Sequence, residues 1–244
     1  MVNRRFIDES MLDGFEAPGM RPAQQMRSRK LIVDLFNEAL LLLREVDFEG
    51  LSIDTLCERA SATVGSFYSR FENKDAFVNA LQRMLIVATR RTIETDYASS
   101  TAPVGNLDHL INWIAKGVIA WYQRNEGVIR ASLRRANVEA GTWTPMQELG
   151  GVQIEQAVPR ILALLPKDVV ADGAEDRARF AFQILFGTLN NLVLIDPGPF
   201  GLNDRETSQM LASSMVQLIW TAPSLDDRGS KKALNKQKLY AEEN

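Results

Sequence analysis

Apolar residues recur along most of the chain at the three- and four-residue spacing that gives a helix one buried face. No segment shows a competing strand-like alternation of apolar and polar residues. The pattern therefore predicts an all-α fold, with a first helix that ends near residues 47–50. The apolar stripe of this first helix comprises Ile32, Leu35, Phe36, Ala39, Leu40 and Leu43.

Two short helices follow the first one. Ser52 is a suitable N-cap, because its hydroxyl can accept from a backbone N–H at a helix start, and Thr63 is a second such cap. A break at the small residues 61–62 separates the two helices. Two short helices joined by a small-residue turn form a helix-turn-helix. The first carries Ile53, Leu56, Cys57 and Ala60, and the second carries Phe67, Tyr68 and Phe71.

The remainder of the chain is predicted to be helical as well. Asn73 can cap a fourth helix, which should end before the small and polar stretch at 98–105, and Pro159 should kink or split a later one. The later helices are predicted at 107–124, 126–139, 145–165, 174–195 and 204–221. The predicted organisation is a flexible arm at 1–22, a helix-turn-helix domain at 23–72, a connecting helix at 73–97, a helical bundle domain at 106–222 and a disordered polar tail at 223–244.

Composition argues against several classes of protein. Cys57 is the only cysteine and His109 the only histidine, so neither a disulfide framework nor a metal site is expected, and no catalytic constellation stands out. No apolar run approaches the ~20 residues that span a bilayer. We therefore expect a cytoplasmic protein without cofactor or enzymatic activity. The net charge of −3 means that any affinity for nucleic acid must come from a few well-placed basic residues.

The helix-turn-helix sequence resembles the DNA-binding segment of the TetR family of bacterial regulators. The resemblance covers residues 31–81, and its most specific element is Gly65-x-x-Tyr68-x-x-Phe71 followed by Lys74. It implies a homodimer that binds a palindromic operator in double-stranded DNA. The chain departs from the family pattern at Ser61, Ala62 and Arg70, where glycine, valine and histidine are usual.

The second short helix should hold Phe67 and Phe71 against its own domain and present its other side to the major groove. By resemblance, the Tyr68 hydroxyl and the Lys74 ammonium grip the DNA backbone, and Arg70 can reach a guanine or a phosphate. Helix starts and basic side chains supply further phosphate contacts. The residues predicted to contact DNA are Arg27, Arg29, Lys30, Ser52, Thr63, Val64, Gly65, Ser66, Tyr68, Arg70 and Lys74.

The resemblance also implies that the larger carboxyl-terminal domain forms the dimer and holds a pocket for a small-molecule effector. Apolar rings beside a rare polar group are typical of such pockets. The residues predicted to line the pocket are Trp113, Gly117, Trp121, Tyr122 and Gln183. The residues predicted for the dimer interface are Phe182, Leu185, Leu189, Leu211, Met215 and Leu218.

These features favour a sequence-specific transcriptional regulator, a repressor that a small-molecule effector releases from its operator. Two alternatives stay open from the residues alone. The first is a DNA-binding protein without an effector, whose pocket would be filled by side chains. The second is an all-helical small-molecule binding protein or enzyme that merely contains a helix-turn-helix.

Overall fold

The computed structural model of the chain describes residues 7–22, 25–136 and 141–221. Apart from one isolated β-bridge and one short 3-10 helix, the regular structure in these ranges is α-helical, as predicted. None of the helices in these ranges is long and apolar enough to cross a membrane. The α-helices are α1 (Met26–Leu42), α2 (Ile53–Arg59), α3 (Val64–Tyr68), α4 (Lys74–Ala98), α5 (Leu107–Ala136), α6 (Thr144–Leu162), α7 (Lys167–Ala171), α8 (Ala174–Leu194) and α9 (Arg205–Trp220).

Side-chain caps fix where the helices of the amino-terminal domain begin. Ser52, Thr63 and Asn73 each accept a hydrogen bond from the backbone N–H three residues later, at 3.4, 3.1 and 2.8 Å. Each cap satisfies one of the backbone donors that a helix start leaves unpaired. The predicted starts of α2, α3 and α4 are therefore confirmed.

Four phenylalanines form the centre of the amino-terminal core. Phe36, Phe67, Phe71 and Phe77 are all fully buried, and their neighbouring ring centroids lie 4.9 to 5.9 Å apart. Rings at these separations gain contact energy beyond the burial of their area. Because the four rings come from α1, α4 and the α3 region, this cluster sets the angle at which α3 leaves the domain.

The helix-turn-helix break contains a residue in the left-handed backbone region. Ser61 has φ of 52°, a conformation that glycine adopts freely and that costs other residues free energy. The left-handed conformation explains why glycine is usual at this position in the DNA-binding segments that this chain resembles.

Some predicted boundaries differ from the structure. Helix α1 ends at Leu42, earlier than the predicted 47–50, because the chain then forms turns closed by hydrogen bonds such as that from the Gly50 N–H to the Asp47 carboxylate at 2.9 Å. The break predicted near residue 125 is a kink within α5, at Asn125. Helix α7 was not predicted at all.

Residues 7–22 were predicted to be part of a flexible arm, but they pack against the amino-terminal domain. Ile7 is fully buried, and the Asn37 amide donates to its carbonyl at 2.8 Å. Met20 forms an antiparallel bridge with Phe71. The expectation of a flexible arm is therefore wrong for these residues, because apolar side chains within the segment complete the core. Residues 1–6 of the predicted arm and the tail at 223–244 lie outside the described residues.

A second core lies among α4, α5, α6, α8 and α9. The side chains of Trp121 and Trp143 pack against both cores. The two cores also meet where α5 passes the end of α1, since a Cβ built on Gly127 would overlap the Leu43 carbonyl group. Only glycine allows the two backbones to approach this closely. The second core is thus held directly against the helix-turn-helix domain.

Candidate nucleic-acid interface and internal cavity

Helix α3 has one buried face and one exposed face. Phe67 is fully buried, whereas Gly65 and Tyr68 are exposed and Val64 is half-buried. Tyr68 keeps 48% of its surface exposed, although its ring packs edge-on against Phe67 with centroids 5.2 Å apart. The outward side of α3 therefore carries little side-chain bulk, which allows a partner to approach the backbone closely. It also carries one phenol, whose ring is held in place by Phe67.

The hydroxyl groups at the start of α3 serve the helix itself. Thr63 Oγ1 accepts from the Ser66 N–H, and Ser66 Oγ accepts from the Thr63 N–H at 3.0 Å and donates to the Thr63 carbonyl at 2.6 Å. Such a reciprocal capping box satisfies two backbone donors. Ser66, predicted to contact DNA, has thus used its one proton and can offer a partner only a lone pair. Ser52 is likewise an exposed cap.

Arg70 is directed inward, unlike the base or phosphate contact predicted for it. Its guanidinium donates to the Pro22 carbonyl at 3.2 Å and to Ser28 Oγ at 2.8 Å. Its backbone carbonyl accepts from the Arg21 N–H at 2.7 Å. Arg70 is half-buried, and these carbonyl and hydroxyl acceptors lie within reach of its guanidinium. It therefore ties the end of the α3 region to the segment that leads into α1.

Lys74 is also used within the domain. Its ammonium group donates to the carbonyls of Phe48, Glu49 and Leu51 at 3.0, 3.3 and 3.3 Å, and it lies 4.6 Å from the centroid of the Phe48 ring. An ammonium group has three donors, so these three carbonyls occupy all of them. The predicted phosphate contact would require at least one of these bonds to break.

The start of α1 carries the basic groups that are open to a partner. Arg29 pairs with Asp13 at 2.6 Å and Lys30 with Asp34 at 2.7 Å, so two of the three predicted cations are engaged. Arg27 is exposed, and within the described residues its guanidinium has no ion-pair or hydrogen-bond partner. Arg21 is also exposed, and its guanidinium also has no partner among the described residues. It was not predicted to contact DNA, because it belongs to the segment that was predicted to be a flexible arm. Among the described residues, these two cations at and just before the start of α1 are open to a partner.

A cavity of about 1220 Å³ lies in the carboxyl-terminal domain. Its walls come from α4, α5, α6 and α8 and are rich in aromatic rings. All five residues predicted for a pocket line it. Tyr97, Trp143 and Phe186 also line the cavity. They were not predicted, because aromatic residues at helical spacing do not reveal which of them border a void. The predicted wall residues are Trp113, Gly117, Trp121, Tyr122 and Gln183.

Neutral hydrogen-bonded pairs border the inner part of the cavity. Trp121 Nε1 donates to Thr89 Oγ1 at 2.8 Å, and the Tyr122 hydroxyl donates to Asn190 Oδ1 at 2.9 Å. Gln153 Nε2 donates to the Tyr97 hydroxyl oxygen at 2.7 Å. Burial raises the pKa of Tyr122 well above its usual value. Burial does the same to the pKa of Tyr97, while the positive charge of Arg160 opposes the shift. Both phenols are neutral at physiological pH.

Four of the six residues predicted for a dimer interface lie inside the core of their own chain. Phe182, Leu185, Leu189 and Met215 are at most 2% exposed, because the apolar stripes of α8 and α9 pack against α5 and each other. Only Leu211 and Leu218 keep part of their surface exposed. The outward faces of α8 and α9 instead carry other large apolar side chains. These are Ile184, Met210 and Trp220, whereas the exposed Phe180 lines the cavity.

Polar contacts connect the second half of α5 to the helix-turn-helix domain. Arg135 pairs with Asp75 of α4 at 2.6 Å and lies over the Phe48 ring at 5.2 Å. Arg134 pairs with Asp47 at 3.5 Å. The first half of α5 lines the cavity. The same helix therefore contacts both the cavity and the loop before α2, whose carbonyls accept hydrogen bonds from Lys74.

Comparison with known proteins places the amino-terminal part of this chain. Residues 35–81 match the family model described as bacterial regulatory proteins, tetR family. A curated relative, the transposon Tn10 TetC protein of Escherichia coli, is 27% identical over 94 residues, which are 37% of this chain and 48% of that protein. The match thus spans about half the length of this relative.

Two solved structures align with most of this chain. Salmonella enterica GusR superposes with a TM-score of 0.54 at 15% identity, covering 81% of this chain and 97% of that one. The fatty acid degradation regulator FadR from Bacillus halodurans reaches a TM-score of 0.48 at 16% identity, covering 76% and 96%. The likeness to GusR shows a shared all-helical fold beyond the helix-turn-helix. Residues 35–81 are therefore similar to the family of bacterial regulatory proteins called tetR, and the chain as a whole shares a helical fold with GusR.

Proposed function

We propose that this protein is a cytoplasmic, homodimeric transcriptional repressor that binds a palindromic operator and leaves it when a small molecule fills the cavity. The observation that carries the DNA-binding part is the exposed side of α3. It presents Gly65 and Tyr68, and the exposed Arg21 and Arg27 lie on the segment that Arg70 ties to the end of the α3 region. Small side chains permit close approach to base edges, while a phenol and cations suit phosphate oxygens.

We propose that some of the predicted residues contact DNA and that others hold the contacting surface in place. Val64, Gly65, Tyr68 and Arg27 lie on exposed or half-exposed surface and are proposed to touch DNA. Arg70 and the groups at the start of α3 act mainly by holding that surface in place. With few free donors on α3, part of the sequence preference is expected to come from the shape of the DNA.

Salt-dependent binding to duplex DNA tests the proposed contacts. Arg27→Ala should weaken binding to every duplex and lower the slope of log affinity against log salt by about one. Tyr68→Phe keeps the ring against Phe67 but removes the hydroxyl, and should weaken binding about 2- to 10-fold. Lys167→Ala, an exposed change on α7, is the control. Equal affinities for all three variants and the wild type would contradict the assignment.

The homodimer is proposed to form through the outward faces of α8 and α9. Ile184 of α8 and Met210 and Trp220 of α9 are 39%, 51% and 43% exposed, and large apolar side chains left exposed on neighbouring helices suit a protein–protein interface. A two-fold interface of four helices would cover them. Ile184→Glu combined with Met210→Glu should give monomers by sedimentation, whereas Val104→Glu, at a 90% exposed loop position, should not. Dimers from the double variant would refute this interface.

The effector response is proposed to use the cavity and α5. An effector-independent protein would fill this space with side chains, and the cavity of about 1220 Å³ speaks against that alternative. A ligand acts only through its different affinity for two states of the protein. Here the states would differ in whether the two α3 helices match half-sites roughly 34–36 Å apart. A coupling of about 1 to 3 kcal/mol would change DNA affinity about 5- to 150-fold.

A further inference from the structure

Charged and uncharged groups are segregated in the wall of the cavity. Every charged side chain that lines it is exposed to solvent, whereas its buried lining residues, such as Tyr97, Tyr122 and Gln153, are uncharged. An ion without a partner loses several kcal/mol of hydration when it is buried. The buried part of any bound molecule must therefore be neutral. The charged lining residues are Asp96, Lys116, Arg124, Asp176 and Arg179.

The rings that border the cavity favour a flat, aromatic occupant. Trp113 packs edge-on against Tyr97 with centroids 5.2 Å apart, and Trp121 does so against Tyr122 at 5.5 Å. These pairs fix the orientation of four rings from α4 and α5. Aromatic faces held in this way bind other aromatic rings with a specific geometry and not merely by area.

One buried donor in this wall is unused. Tyr97 is 5% exposed, and its hydroxyl oxygen accepts from Gln153. Within the described residues no acceptor takes the Tyr97 hydroxyl proton. A buried donor without an acceptor is costly, and a ligand that supplies the acceptor removes that cost.

We propose that the cavity binds an uncharged, polycyclic aromatic molecule whose carbonyl oxygen accepts a hydrogen bond from the Tyr97 hydroxyl. The role of this ligand in regulation rests on the proposed function. Binding itself can be measured without DNA.

A matched series of pyrenes tests the ligand class. Energy transfer from the tryptophans to pyrene reports binding to the full chain. We expect 1-acetylpyrene to bind at least about tenfold more tightly than 1-pyrenecarboxylate and 1-pyrenemethylammonium. Tyr97→Phe should weaken 1-acetylpyrene about 3- to 10-fold and leave pyrene, which has no acceptor, within about twofold. The comparison of two ligands on one variant removes any general effect of the substitution on folding.

A second variant tests whether the pyrenes occupy this cavity. Gly117 lies in its wall, and a Cβ there meets no atom within 4 Å. Gly117→Phe adds a ring to the wall and should weaken binding of the pyrenes, whereas Gly117→Ala should retain it. Equal binding of charged and neutral pyrenes, equal losses for both ligands in Tyr97→Phe, or full binding in Gly117→Phe would each overturn the proposal. If the pyrene pattern holds but leaves DNA affinity unchanged, the effector response fails and the ligand class stands.

Discussion

The contact between α1 and α5 can be tested with a matched pair of substitutions on α5, at Gly127 and Gly117. A Cβ on Gly127 would overlap the carbonyl group of Leu43 and lie 2.8 Å from the Leu43 Cβ, whereas a Cβ on Gly117 would meet nothing within 4 Å. Both changes to alanine favour the helix by about 0.5 to 1 kcal/mol. The difference between the two variants therefore isolates the contact between the helices.

The expected difference in stability between the two variants depends on which atoms must move to relieve the overlap. The atoms in the way of Gly127→Ala belong to the backbone, so no side-chain rotation relieves the overlap and α5 must shift away from α1. Overpacking of this kind costs about 1 to 3 kcal/mol or more. For a chain of this size each kcal/mol changes the melting temperature by roughly 2 to 4 °C. Gly127→Ala should therefore melt about 2 to 12 °C below Gly117→Ala.

Thermal unfolding followed by circular dichroism measures this difference directly. The two variants must be compared at equal protein concentration, because the stability of an oligomer depends on it. We expect Gly117→Ala to match or exceed the wild type and Gly127→Ala to fall below it. Equal melting temperatures for the two variants would refute the close approach of α5 to Leu43.

Three further predictions follow from single sites. Ser61→Gly should raise the free energy of unfolding by about 1 kcal/mol, since Ser61 has a φ of 52°; a less stable variant in urea titration would contradict this strain. Lys74→Met should lower the free energy of unfolding by about 1 to 3 kcal/mol through loss of its carbonyl contacts, whereas unchanged stability with weaker DNA binding would favour a phosphate role. Burial raises the pKa of Tyr97 and Tyr122, so the folded chain keeps two protons that the unfolded chain releases near pH 10. Stability should therefore fall as the pH rises past about 10, and ultraviolet titration should show these two phenolates only on unfolding; their early, reversible appearance would contradict the burial.

The local features of the helix-turn-helix could be predicted from the sequence, because they depend on neighbouring residues. Capping residues at Ser52, Thr63 and Asn73 and the apolar spacing of Phe67 and Phe71 are sufficient to place α2, α3 and the start of α4. Each of these signals acts within about one helical turn.

The long-range features could not be predicted in this way. Whether Arg70 faces DNA or the chain before α1 depends on where Pro22 lies, and that is set by the packing of residues 7–22. Four of the six residues predicted for the dimer interface are buried within their own chain for a related reason. A helix with apolar residues around much of its circumference has two candidate buried faces, and the sequence does not say which one packs inside its own chain. Phe182 and Leu185 turned out to be on the inner face.

We propose that the exposed side of α3 recognises duplex DNA in a two-fold arrangement. Selection of fragments from the genome that encodes the chain, followed by footprinting of the selected duplexes, tests it most directly. We expect a pseudo-palindromic footprint with half-sites about one helical turn, roughly 34–36 Å, apart, which Arg27→Ala weakens uniformly. A protein that retains no duplex at low salt, or whose footprint has no two-fold symmetry, would contradict the claim.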